Sequence, residues 1–325
     1  METVSSSRGR PLVRLSALVS LVLLSLGACA AQPPQVASRG DIVIDGRNVH
    51  PESITSTADG SVFIGSMSGT IYRAGPQDRV ARPFITPNPE NGLRATYGVL
   101  ADERGGRLWV CSVAPFGPSP GPQQPSAVVA FDLKTGALAG RWPFPAPGGT
   151  CNDIAIAADG AAYATDTPGG RILKLAKGGS ALEVVASHQS LRGIDGIAFG
   201  PRGEMYINNV QRHELWRVEL AANPAEPKLT LLQASQKMEG PDGLRPIGGN
   251  RFLQAESSGG RITLVTIEGD RAGITLVKQL QSTPGVTLVG DTIYTIDGKI
   301  DYLIKPELRG QDPGEFRAIA IPMPR

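Results

Sequence analysis

Six times between residues 52 and 294 of this 325-residue chain the same short pattern returns: a polar residue, a small residue, an alternating apolar run and a glycine-containing turn. The first copy reads Glu52-Ser53-Ile54, Ala58-Asp59-Gly60, Ser61-Val62-Phe63-Ile64-Gly65, then Gly69-Thr70-Ile71-Tyr72-Arg73. The third runs closely parallel, through Asn152-Asp153-Ile154, Ala158-Asp159-Gly160, Ala162-Tyr163-Ala164-Thr165 and Gly170-Arg171-Ile172-Leu173. The others open at Tyr97-Gly98-Val99, Asp195-Gly196-Ile197, Asp242-Gly243-Leu244 and Pro284-Gly285-Val286, so successive openings lie 45, 55, 43, 47 and 42 residues apart. A period of about 40 to 50 residues, with several short strands in each, fits a blade of four antiparallel strands. The expected fold is therefore all-β, a six-bladed β-propeller of four-stranded antiparallel blades over residues 41–325. A count of six disfavours a seven-bladed ring, and the long, irregular period disfavours a β-helix. Closure is expected from the strand Asp41 to Gly46, completing the last blade beside Phe316 to Ile321.

The leader is read separately. Arg8, Arg10 and Arg14 precede the apolar run Leu15 to Leu26, too short to span a bilayer but the right length for the core of an export signal. Residues 1–29 are expected to be a signal peptide. The run ends in Leu26-Gly27-Ala28-Cys29, which resembles the bacterial lipobox and implies a lipid on Cys29; plain cleavage at Ala28-Cys29-Ala30 is the alternative. Residues 30–40, which show no apolar periodicity, read as a flexible tether. The expected location is thus outside the cytoplasm, lipid-anchored at the cell envelope or else periplasmic or secreted, with that lipid the only membrane contact. In such a compartment Cys111 and Cys151 either pair or stay as two buried thiols. A formal net charge of +2 gives no reason to expect nucleic acid.

In a blade the chain runs outward from the axis, so the first residue of every innermost strand lies on one face, around the central channel. Repetition turns Glu52, Tyr97, Asn152, Asp195, Asp242 and Pro284 into one ring. Three carboxylates and a carboxamide pointing into a narrow space repel unless something neutralises them. Ca²⁺ takes six to eight oxygen ligands of these kinds, whereas the His and Cys that Zn²⁺ prefers are missing from the ring. Asp-Gly turns would explain Asp195 and Asp242 without a metal. Glu52, a poor turn former, favours one divalent cation, most simply Ca²⁺, bound by Glu52, Asn152, Asp195 and Asp242.

These motifs resemble the SMP-30/gluconolactonase family and, more distantly, the paraoxonase lactonases, whose folds are six-bladed propellers around a divalent cation. Glu52 of Pro51-Glu52-Ser53-Ile54, Asn152 of Cys151-Asn152-Asp153-Ile154 and Asp242 of Pro241-Asp242-Gly243-Leu244 match that family's ligand motifs. Asp195 stands where the family has Asn. Thr150 stands where its sugar-lactone hydrolases tend to place Arg, which speaks against a sugar acid lactone. Ser53 replaces the Asp that a second, structural calcium would use, so a single cation is expected and Asp153 is left without a role.

The resemblance implies hydrolysis of a small-molecule lactone or ester, with Asp242 as ligand and general base; water activated by the cation competes for that role. Tyr97, Asn152, Asp166, Asn208 and Glu256 are expected to contact the substrate, the last three because they follow second strands on the same face. The insertion Val113 to Ser126 should overhang the site as a lid. No phosphate-binding glycine loop or His-Glu-x-x-His is found in the sequence. The alternative is a non-catalytic propeller that binds a ligand or protein and keeps the cation as a structural bolt. The oligomeric state is left open.

Overall fold

A computed structural model describes Gly9 and residues 39–115, 124–145 and 149–324. The expected signal peptide, the lipobox Cys29, most of the tether and residues 116–123 of the expected lid lie outside them. The chain divides into compact units at 1–35 and 36–325, and everything below concerns the second.

That unit is all-β apart from one short α-helix and a 3-10 turn. Three of its sheets carry a single copy of the repeat or little more. Ala95–Asp102, Arg107–Val113, Ala127–Asp132 and Leu138–Pro143 form one sheet, and Cys151–Ile156, Ala162–Asp166, Arg171–Leu175 and Glu183–Ser187 the next. A third holds Ile194–Phe199, Met205–Asn209, Glu214–Glu219 and Lys228–Leu231. A fourth, five-stranded sheet runs Pro241–Pro246, Arg251–Glu256, Arg261–Glu268 and Arg271–Gln279, with Gln233–Ala234 added in parallel at its outer edge. The last sheet has eight strands, because Ile42–Ile44 pairs in parallel with Val80–Ile85 and antiparallel with Phe316–Pro322. The N-terminal strand thus lies beside the C-terminal one, with Ile42 opposite Ala318 and Ile44 opposite Phe316.

Local chemistry accounts for the strands. In the Ala-Asp-Gly turns, Asp59 accepts from the backbone of Ser61 (2.8 Å) and Asp159 from that of Ala161 (2.9 Å). Gly60 (φ 93°) and Gly160 (φ 86°) supply the left-handed step each turn needs. Second strands such as Val62–Ser66, Ala162–Asp166 and Met205–Asn209 are buried along their whole length, which is why they open on apolar or small residues, while Asp166, Asn208 and Asn209 at their ends are buried polar groups. Outer strands such as Leu138–Pro143 are largely exposed. Between sheets, the cores are interlocked apolar layers, for example Phe63, Ile71, Val99, Val110, Val129 and Phe131. Each such side chain contributes roughly 1.5 to 3 kcal/mol by leaving water. Cys111 and Cys151 are joined by a disulfide across 40 residues, with Cα atoms 5.2 Å apart, so the residue just before Asn152 is tied to the preceding sheet.

Candidate functional site

The innermost strands do more than line an axis. In five of them the pairing register slips at the opening position: between Pro51 and Ser53, Thr96 and Val99, Cys151 and Ile154, Ile194 and Ile197, and Pro241 and Leu244. Each slip is a bulge that leaves the ring residue outside the ladder and re-aims its side chain. The glycine that follows some of them serves closeness. A methyl group on Gly196 would collide with the Asp242 carbonyl oxygen, and one on Gly98 with that of Asn152. Thr165 Oγ1 donates to the Asp195 carbonyl (2.7 Å) and Ser53 Oγ accepts from Val99 N (3.1 Å), so neighbouring inner strands are stitched together around the axis. Gly285 packs against Glu52, Ser53 and Ile54, bringing the last inner strand against the first.

All six ring positions, Glu52, Tyr97, Asn152, Asp195, Asp242 and Pro284, line one cavity of about 830 Å³. Asn152 and Asp195 are buried, while Glu52 and Asp242 keep part of their surface toward the cavity. Asn152 donates its amide to Asp195 Oδ2 (2.8 Å) and to Thr167 Oγ1 (2.9 Å). Since a carboxylate only accepts, the amide nitrogen must face Asp195, and the amide oxygen is left without a hydrogen bond among the described residues. Neither Glu52, Asp195 nor Asp242 forms an ion pair with a described Lys or Arg.

Their electrostatics reflect this. Burial, then the charges of Asp195 and Asp153, push the Glu52 carboxyl well above the usual range. Burial followed by Asp242 does the same to Asp195, and burial followed by Glu52 to Asp242. Burial and then Glu52, Asp195 and Asp242 push the Tyr97 phenol up to about 12, so it stays a donor.

One carboxylate at the axis is treated differently. Asp153 receives both terminal nitrogens of Arg245, at 2.7 and 2.9 Å, in a buried bidentate pair. Arg245 also donates to the Leu244 carbonyl (2.9 Å) and reaches that of Val99 (3.4 Å). Burial alone would lower its pKa, but Asp153, then Glu52 and Asp242, hold it above its ordinary value. It borders a second cavity with Leu100, Ile154 and Ile197, so the pair lies between that cavity and the ring. This is the role that Asp153 lacked in the sequence.

Three expected substrate contacts are placed elsewhere. Asp166 is fully buried, ion-paired to Arg171 at 2.6 Å, and accepts from Thr150 N (2.9 Å). Glu256, also fully buried, meets Arg261 at 3.3 Å and accepts from Glu239 N (2.6 Å). Asn208 accepts from Gly196 N (2.8 Å) and donates to the Asp242 carbonyl (2.7 Å), holding two inner strands together. None of the three lines the ring cavity. Asp166 and Glu256 pair in register with the residues just before ring positions, Cys151 and Pro241, and clasp the chain entering the ring. Beyond the ring, the described wall of the cavity comes from Met67, Ser257, Ser258, Gln281, Ser282 and residues 297–313, while residues 116–123 of the expected lid lie outside the described residues.

The donor set, two cavity-facing carboxylates, a buried third and a free amide oxygen, suits a hard cation. Among the described residues, no three His, Cys, Asp or Glu side chains are drawn together as a preassembled metal cluster.

The chain's likeness to solved structures fixes the fold. A protein provisionally named gluconolactonase superposes with a TM-score of 0.59 at 16% identity, covering 90% of this chain and 97% of its own. The luciferin-regenerating enzyme gives 0.58 at 12%, covering 86% and 92%. This chain is a β-propeller. Its neighbours thus include a protein named for the gluconolactonases that the sequence motifs resemble, and also a nidogen/laminin complex, at 0.56 and 16%, covering 74% and 86%. No family model and no curated protein sequence matches the chain.

Proposed function

We propose that this propeller, read as six blades of four strands with the eight-stranded sheet counted as two, is an exported hydrolase of a lactone or ester that depends on one divalent cation, Ca²⁺ above others. The observation that carries the reading is the contrast within the axis: the protein pairs Asp153 directly with Arg245, yet gives Glu52, Asp195 and Asp242, at a cavity wall, no ion pair among the described residues. Glu52, Asp195, Asp242 and the Asn152 amide oxygen are the proposed ligands, with water completing the shell. When bound, such a cation supplies a Lewis acid for a carbonyl and for the negative charge that develops on its oxygen.

The chain's own groups do the rest. Asp242 takes the proton of the attacking water, and the Tyr97 hydroxyl, protonated throughout the physiological range, donates to a substrate oxygen. Asn152, fixed by Asp195 and Thr167, turns its amide oxygen toward the cation. A lipid on Cys29 would hold the propeller at the envelope.

The test is a panel of lactones and aryl esters assayed with Ca²⁺ and other divalent ions, beside metal analysis of the purified protein. Hydrolysis should disappear in Asp242→Ala; a native rate no higher than that control rejects the reading. Asp195, a third carboxylate where the resembled family has Asn, and the nidogen neighbour favour a second reading, a binding scaffold with a structural cation. It is recognised by chelation lowering the melting temperature while no substrate is turned over.

A further inference from the structure

The cavity is two-sided. Ser257, Gln281 and Ser282 make one flank polar. The other is built by the segment between the strands Thr292–Ile296 and Phe316–Pro322, which presents Ile300, Tyr302 and Ile304 to the same space as the ring. Ile304 is 47% exposed, an aliphatic side chain held open to water at the cavity rim.

The segment is braced from below. Lys299 Nζ donates to the carbonyls of Pro313 (2.7 Å) and Glu315 (2.8 Å), closing the base of the loop, and its ammonium sits 4.9 Å from the centre of the Phe316 ring. His50, two residues before Glu52, binds the Gly298 carbonyl at 3.0 Å. Asp297, Lys299 and Asp301 line the cavity too; Asp297 accepts from Lys299 N (3.0 Å), and Asp301, its side chain 54% exposed, pairs with Lys305 (2.8 Å). Beside these charged groups the braced segment offers a ligand the largely apolar surface of Ile300, Tyr302 and Ile304.

Resting on the hydrolase reading, we infer that the substrate carries an apolar substituent, alkyl or aryl, seated against Ile300, Tyr302 and Ile304 while its carbonyl faces the ring. A polyhydroxylated sugar lactone would leave its hydroxyls unpaired on this wall, at a cost that an alkyl chain avoids.

The experiment uses the calcium-loaded full propeller and simple carboxylates as product analogues: acetate, butyrate, hexanoate and gluconate, with binding followed by calorimetry. Affinity should rise about two- to fourfold per methylene, the range from half to full burial, and gluconate should bind no better than acetate. The double variant Tyr302→Ala with Ile304→Ser should flatten the series while calcium binding and the melting temperature stay at native values. A flat series in the native protein, gluconate binding as tightly as hexanoate, or an unchanged slope in the variant overturns the inference. If no ester or lactone is hydrolysed but the slope and its loss persist, the apolar wall stands and the hydrolase reading falls. Hydrolysis with a flat series does the reverse.

Discussion

Asn152 and Asp153 are adjacent in sequence, yet they belong to two regions with opposite electrostatic character. At the mouth of the axis, Asn152 joins Glu52, Asp195 and Asp242 around an open cavity, where burial and mutual repulsion work against ionisation. One residue on, Asp153 is satisfied by the guanidinium of Arg245 and by the Ile197 N–H at 3.2 Å. The difference teaches that the fold can place a counter-ion at its axis and, among the described residues, pairs it directly with Asp153 and with none of the ring carboxylates. The mouth is left with charge that an outside cation would balance.

The sharpest way to break this comparison is to remove the internal cation. Arg245→Met should cost about 3 to 5 kcal/mol in equilibrium unfolding, because Asp153 is left buried and alone. Pairing it with Asp153→Leu should restore most of that loss; an equal cost for both variants would show that the pair matters for shape alone. Next in size is the response of the mouth to calcium. At a hundred times the dissociation constant, Ca²⁺ should stabilise the native protein by about 2.7 kcal/mol, and Glu52→Gln or Asp242→Asn should erase the shift.

A third effect separates mouth from floor by pH. Burial first, then their neighbours' charges, raise the Glu52, Asp195 and Asp242 carboxyls above the unfolded values of about 3.9 to 4.3. Folding therefore takes up protons in that window. Cation-free protein should hold this stabilisation in full below the unfolded values and lose it as pH rises through the raised range, at up to about 1.4 kcal/mol per pH unit for each proton. Calcium should flatten the slope, and the absence of any slope in cation-free protein would mean the mouth carboxylates are not coupled. The smallest effect sharpens the same point. Asp195→Asn, without calcium, should gain about 1 kcal/mol, a rise of roughly 2 to 4 °C in melting temperature, whereas a loss would show that Asp195 already has a compensating partner.

Much of this was legible in the repeat. A fixed period announces a stacked β architecture because each unit must bury its faces against its neighbours, and the opening residues of the repeats are the residues that line the cavity. Side-chain direction was not legible. Asp166 and Glu256 end second strands on the expected face, but each turns inward to clasp an arginine and a backbone N–H, a choice set by pairing register and not by position in the repeat. The wall at 297–313 escaped for a different reason. Differencing opening positions measures five intervals, and an insertion in the final repeat has no seventh position after it to reveal its length.

The chain alone thus determined the β class, the recurrence of the units and which oxygens open the inner strands, since these follow from local periodicity and turn chemistry that neighbours in sequence impose. Only the tertiary structure decided which charges are cancelled from within. Arg245 lies 92 residues from Asp153, and no local rule links them; they meet because the inner strands are pressed together at the axis, where burial makes every uncancelled charge costly.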